Sequence, residues 1–186
     1  MTTTVIAVLV LVALLLAVVL LLFARPQLRR RRLQQRFGPE YQRLVSNGDN
    51  RRDVEQELAD RERRHAGLRI RALPADARAR YADQWFEVQE RFVDTPAGAV
   101  RAADQLIVAV MAERGYPTDG YDQQVADLSV EHADRLDAYR AAHEISRRAA
   151  GNAASTEDLR QAMVHFRSLF EGLLGDRVSA SPGTTH

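Results

Sequence analysis

The side chains best suited to chemistry in this sequence are histidines. His132 and His143 lie eleven residues apart, about three turns of a helix, and share a face with Tyr139. Glu131 and Glu144 adjoin them. Imidazoles, a phenol and carboxylates are the groups of a metal site or an acid–base centre. On a straight helix, however, eleven residues rise about 16 Å, too far for two ligands of one ion. A shared ion would need a donor from another helix, and His165 is the obvious one. The plainer reading of a histidine on an apolar stripe is a hydrogen-bonded core or boundary residue. No metal, no cofactor and no enzymatic activity are therefore expected. A small helical enzyme or metal-binding protein using His132, His143 and His165 stands as the alternative.

Other catalytic patterns are missing. The sequence holds no G-x-G-x-x-G, P-loop, G-x-S-x-G or H-E-x-x-H, since His143-Glu144 is followed by Ile145-Ser146-Arg147. There is no Cys, which excludes disulfides, thiolate metal sites and cysteine nucleophiles. Carboxylate pairs such as Glu87 with Glu90 and Asp134 with Asp137 read as solvated helix surface.

The elements that must carry these residues read as helices. Pro74 opens one running to about Asp94, with the stripe Tyr81, Trp85, Val88 and Phe92 at spacings of 4, 3 and 4. Thr95-Pro96 starts a second, with Val100, Ala103, Ile107 and Val110 inward. Gly115 and Pro117 end it as a left-handed cap and a stop. Ser129 is placed to cap a third, running to about Ala150 with the stripe His132, Leu136, Tyr139, His143 and Ser146. Ser155 and Asp158 have capping-box spacing before a fourth, striped by Leu159, Met163, Phe166, Phe170 and Leu173 and stopped by Gly175. No stretch alternates at period two, so the fold class is all-α, a bundle of about four main helices over 74–174. Residues 114–132 read as a long loop, with at most a short turn from Tyr116 to Leu128, and long loops often carry function. Residues 37–73 form a short helix from Glu40 to Val45, interrupted from what precedes by Gly38-Pro39, then a charged stalk helix over 51–67 whose thin apolar edge is Val54 and Leu58. Residues 175–186 read as a disordered tail.

The net charge of +1 conceals a split chain. Residues 5–24 are an unbroken apolar run, roughly 30 Å long as a helix and so the thickness of a bilayer core. Arg25, Arg29, Arg30, Arg31, Arg32 and Arg36 follow with no acid among them. From Phe37 onward 20 Arg face 25 Asp and Glu, leaving that part acidic. Residues 1–36 are thus expected to be a single transmembrane helix with a basic collar at the lipid interface. Arg after the span and none before it place the N-terminus outside and the C-terminal domain in the cytoplasm. The opposite topology, an envelope-facing structural protein, is the third alternative. The span carries no ionisable group for transport. An acidic domain disfavours nucleic acid as a partner. Membrane lipid and a protein partner remain, with a second copy supported by the small-residue pair Ala13 and Ala17. Trp85, Phe86, Tyr116 and Tyr121 are the candidate partner surface.

Four segments, RFGPEYQRLV (36–45), ERFVDTPAGAVRAADQLI (90–107), RGYP (114–117) and STEDLRQAMVHFRSLF (155–170), carry a resemblance. Through them the chain resembles a group of uncharacterised bacterial proteins over most of residues 1–174. Those proteins have an apolar N-terminal segment followed by a helical domain, and some are labelled as secreted or membrane proteins. The resemblance implies the same architecture. It implies no activity, cofactor or binding residue. The function expected is a membrane-anchored interaction or scaffolding module.

Overall fold

A computed structural model describes residues 11, 16, 27–48 and 50–175. All regular structure among these residues is helical, in accord with the all-α expectation. No described helix is long and apolar enough to cross a membrane. The apolar run 5–24 lies outside the described residues except for Leu11 and Leu16, which are helical and exposed. The expected tail from 176 onward also lies outside them.

The chain divides into two compact units between Ala59 and Asp60. In the first, α1 covers residues 27–46 and is followed by the opening half of α2 (Arg51–Gly67). Leu33, Phe37 and Tyr41 on α1, four residues apart, are buried, as are Val54 and Leu58 on α2. The Tyr41 hydroxyl donates to Glu55 Oε1 at 3.0 Å, and burial raises the phenol above its ordinary pKa. The break expected at Gly38-Pro39 does not occur: the helix runs through it. Gly38 takes a positive φ of 40° that only glycine adopts cheaply, and so absorbs the distortion that Pro39 imposes.

The second unit holds α3 (Ala75–Asp94), α4 (Pro96–Arg114), α5 (Tyr121–Glu131), a 3-10 turn (Ala133–Arg135), α6 (Leu136–Ala150) and α7 (Thr156–Gly175). The boundaries of α3, α4 and α7 follow the predicted stripes and caps. Helix α4 packs on α3, α6 and α7, and α6 packs on α7. Ala99, Val100 and Ala103 on α4 are fully buried, and their small side chains allow this central position. Around them lie Tyr81, Trp85 and Val88 of α3, Leu136 and Tyr139 of α6, and Phe166, Leu169, Phe170 and Leu173 of α7. Gly115 ends α4 at φ 95°, as expected of a left-handed cap.

Two further expectations fail. The segment read as a loop from Tyr116 to Leu128 contains helix α5. Residues 124–130 of α5 are all buried, so its sequence has no amphipathic stripe to betray it. Ser129 does not cap the next helix either. It lies inside α5, where its hydroxyl donates to the Ala126 carbonyl at 2.6 Å. The helix after it begins only at Leu136, so His132 terminates α5 instead of joining the stripe of α6.

Candidate functional site

The three histidines of the sequence alternative have separate surroundings. His143 of α6 places Nδ1 2.9 Å from Asp104 Oδ2 of α4, and its ring stacks on Tyr121 of α5 with centroids 4.0 Å apart. His132 is fully buried at the end of α5, 3.5 Å from an Arg135 nitrogen. His165 of α7 meets Gln161 one turn earlier at 3.0 Å. Among the described residues no three of His, Asp and Glu converge as a metal site.

His143 borders two clefts. One, of about 770 Å³, is lined by Asp119 to Gln123 and by Arg140, Glu144 and Arg147; the other, of about 270 Å³, also touches Asp104, Val108 and Gln124. A carboxylate holding an imidazole fixes its tautomer and supports proton transfer. No Ser or Thr lines the clefts, so neither offers the hydroxyl of a Ser–His or Thr–His pair. Tyr139 is no substitute. Burial, with the Asp104 and Tyr121 charges adding to it, pushes its phenol far above the ordinary range, so it serves as a hydrogen-bond donor, toward Gln124. Arg147 is paired with Glu144 and Arg140 with Asp137, and Asp119 and Asp122 make the lining of the larger cleft acidic on balance.

A second polar cluster holds the ends of three helices. Arg114, 1% exposed, donates from Nη1 to the Leu173 carbonyl at 3.1 Å, near the end of α7, and lies 3.9 Å from Glu131 Oε2. The Tyr116 hydroxyl donates to the same carboxylate at 2.8 Å, and His65 Nε2 is 3.6 Å from its other oxygen. Helix C-terminal carbonyls lack intrahelical donors, and a buried guanidinium satisfies one here. Arg114, Tyr116 and His65 are buried in this cluster, and Glu131 is one-third exposed.

Apolar surface gathers elsewhere. Between α3 and α7 runs a groove of about 180 Å³ lined by Trp85, Gln89, Phe92, Arg160, Met163, Val164 and Arg167. At its side Phe86 is 61% and Val93 82% exposed on α3, and Val164 of α7 is half exposed. Of the four candidate surface residues, Phe86 alone is fully on the surface. Trp85 is buried at the groove floor, stacked on Phe170 with centroids 4.7 Å apart, because it belongs to the inward stripe of α3. Tyr116 is buried against Arg114 and Glu131, and Tyr121 is half-buried on His143. The Trp85 indole N–H has no acceptor among the described residues, a condition that costs about 1–3 kcal/mol when it persists. In the collar, Arg29, Arg31, Arg32 and Arg36 are exposed on α1 and Arg30 is half-buried; Arg25 lies outside the described residues.

Asp104 was not singled out by sequence, and Glu131 was singled out beside His132 and His143, not as the partner of Arg114 and Tyr116. Asp104 flanks the inward stripe of α4 but is 39 residues from His143, and no local spacing joins them. Among the described residues, fold and site together define a small helical bundle with an apolar groove-and-ridge surface and a histidine, His143, hydrogen-bonded to a carboxylate beside open clefts. Comparison with protein families, with curated proteins and with solved structures finds no match in any of the three.

Proposed function

We propose that this chain is a single-pass membrane-anchored interaction module, whose helical domain recruits a protein partner on the cytoplasmic side. The observation that carries this reading is the exposure of Phe86 and Val93 beside the Trp85 groove. Large apolar side chains clustered with a groove at a surface mark a binding site more often than a scattered one does. The anchor rests on the apolar run 5–24, and the orientation on the six Arg from Arg25 to Arg36. The collar would meet anionic lipid headgroups.

The test uses the full chain in native membranes, with a photo-crosslinking residue replacing Phe86. The expected result is a discrete protein adduct that disappears when Val93 and Val164 are changed to Ser. A chain that stays membrane-bound yet yields no adduct overturns the module. Active periplasmic phosphatase fused after His186 overturns the orientation and moves the envelope-facing reading ahead.

The Asp104 contact favours a second reading, an acid–base or metal function at His143. Calorimetric titration with zinc tests its metal form. Stoichiometric sub-micromolar binding, abolished by His143→Gln and by Asp104→Asn alike, would establish it over the first.

A further inference from the structure

Helix α3 carries two stripes on its solvent side. Asp83, Glu87, Glu90 and Asp94 are all exposed at spacings of 4, 3 and 4, one continuous acidic line over three turns. Phe86 and Val93, seven residues apart, form an apolar ridge between that line and the Trp85 groove. None of the four carboxylates enters an ion pair among the described residues. Acids elsewhere in the bundle do: Glu113 with Arg80, Glu157 with Arg160, Glu171 with Arg167. Like charges at three- and four-residue spacing weaken the helix that bears them. The groove's own arginines, Arg160 and Arg167, are already matched on α7, so they do not neutralise the line.

We infer that this face of α3, with the adjoining α3/α7 groove, binds a cationic amphipathic helix of a protein partner. The partner's apolar side lies over Phe86 and Val93 and enters the groove, and its Arg or Lys side lies along the four carboxylates. Helix-in-groove recognition needs apolar anchors at helical spacing on both sides, and charge alignment sets the register. The same charge argues against an anionic lipid surface or a nucleic acid as occupant. This inference rests on the interaction-module reading and names the partner's chemistry.

The test takes the full chain in nanodiscs of zwitterionic lipid, with empty discs as control. The probe is a fluorescent synthetic helix bearing Arg on one face and Leu on the other. Comparison peptides have the Arg replaced by Glu, or the same composition scrambled. The expected result is salt-sensitive binding of the Arg/Leu helix alone. Phe86→Ser with Val93→Ser, and separately Glu87→Gln with Glu90→Gln, should each weaken it on the order of tenfold. These positions are exposed, and unchanged circular dichroism checks that the variants remain folded. Equal affinity of wild type and both variants, or equal binding of the scrambled peptide, overturns the inference. So does a wild-type dimer that Phe86→Ser with Val93→Ser dissociates, because the face would then be a self-interface. If the module reading itself fails, no protein is crosslinked from position 86 in native membranes. If only this inference fails, a protein is crosslinked but its capture ignores Glu87→Gln with Glu90→Gln.

Discussion

His143 Nδ1 and Asp104 Oδ2 stand 2.9 Å apart across the α4–α6 contact, with both side chains mostly shielded from solvent. The other Asp104 oxygen is buried and accepts no hydrogen bond among the described residues. The pair therefore depends on this one bond, supported by the Tyr121 ring stacked on the imidazole. A double-mutant cycle of Asp104→Ala and His143→Ala, read by urea unfolding, is expected to give a coupling of about 1 kcal/mol. A coupling indistinguishable from zero would show that the Tyr121 stack alone holds the ring.

Phe166 and Arg167 are neighbours on α7 with opposite fates. Phe166 is fully buried, edge-on to Tyr139 at 6.1 Å, whereas Arg167 is exposed and paired with Glu171 one turn on. Phe166→Ala should cost about 3–5 kcal/mol, as truncating a buried Phe usually does. Arg167→Ala should cost less than about 0.5 kcal/mol, because an exposed helical ion pair contributes little. Similar unfolding midpoints for the two variants would contradict the assigned face.

What could be read from the sequence was what repeats at helical period. The stripes of α3 and α7 needed only local spacing, and both became core. The Ser155–Asp158 box was legible because its two residues bond each other three positions apart. Helix α5 was not legible, because a short helix buried on every side shows no polar face and Gly120 before it makes no side-chain cap. Trp85 was half legible: the inward stripe was right, and its part in a partner surface is confined to the groove floor. Glu87 and Glu90 were visible as acids. That neither forms an ion pair among the described residues was not legible, since Arg91 stands four residues after Glu87 at the spacing of a helical pair.

Two glycines should respond oppositely to Ala. Gly115 sits at φ 95°, and a Cβ there would lie 2.6 Å from the Arg69 carbonyl oxygen, a backbone atom held where Arg71 N donates to the Arg114 carbonyl. Gly115→Ala combines a left-handed conformation with a clash and should cost about 2 kcal/mol or more. Gly120 has an extended φ of −171° and open space around it. Gly120→Ala should stay within about 0.5 kcal/mol. Equal thermal shifts in the two variants would count against the described close approach.

The α7 capping box supplies a pH signature. Ser155 N–H donates to Asp158 Oδ2 at 3.0 Å, and Asp158 N–H donates to Ser155 Oγ at 3.1 Å. These bonds, the backbone one foremost, hold the Asp158 carboxyl below its ordinary value of 3.8. A carboxyl depressed on folding contributes stability that is fully present above its unfolded value and is lost as pH falls through the folded one. The stability gap between wild type and Asp158→Asn should thus be constant near neutrality and shrink as pH drops below 3.8. Ser155→Ala should cost about 1 kcal/mol at neutral pH. A gap that widens on acidification would reverse the assigned sign.

Arg114 is the largest fully buried side chain, and it is charged. Its guanidinium links the end of α4 to the Leu173 carbonyl of α7 and to Glu131 of α5, and lies 5.6 Å from the Tyr116 ring centre. Truncation to Ala removes the buried stem, leaves the Leu173 carbonyl without that donor and takes a cation from Glu131. The expected cost is about 3 kcal/mol. Arg114→Met keeps the stem and should recover a large part of that loss. Glu131→Gln should cost less than about 1.5 kcal/mol, since its side chain is one-third exposed and still accepts from Tyr116. Arg101, exposed on the same helix, provides the comparison. If Arg114→Ala shifts the urea midpoint no more than Arg101→Ala does, the helix ends are held by apolar packing and the buried guanidinium is incidental.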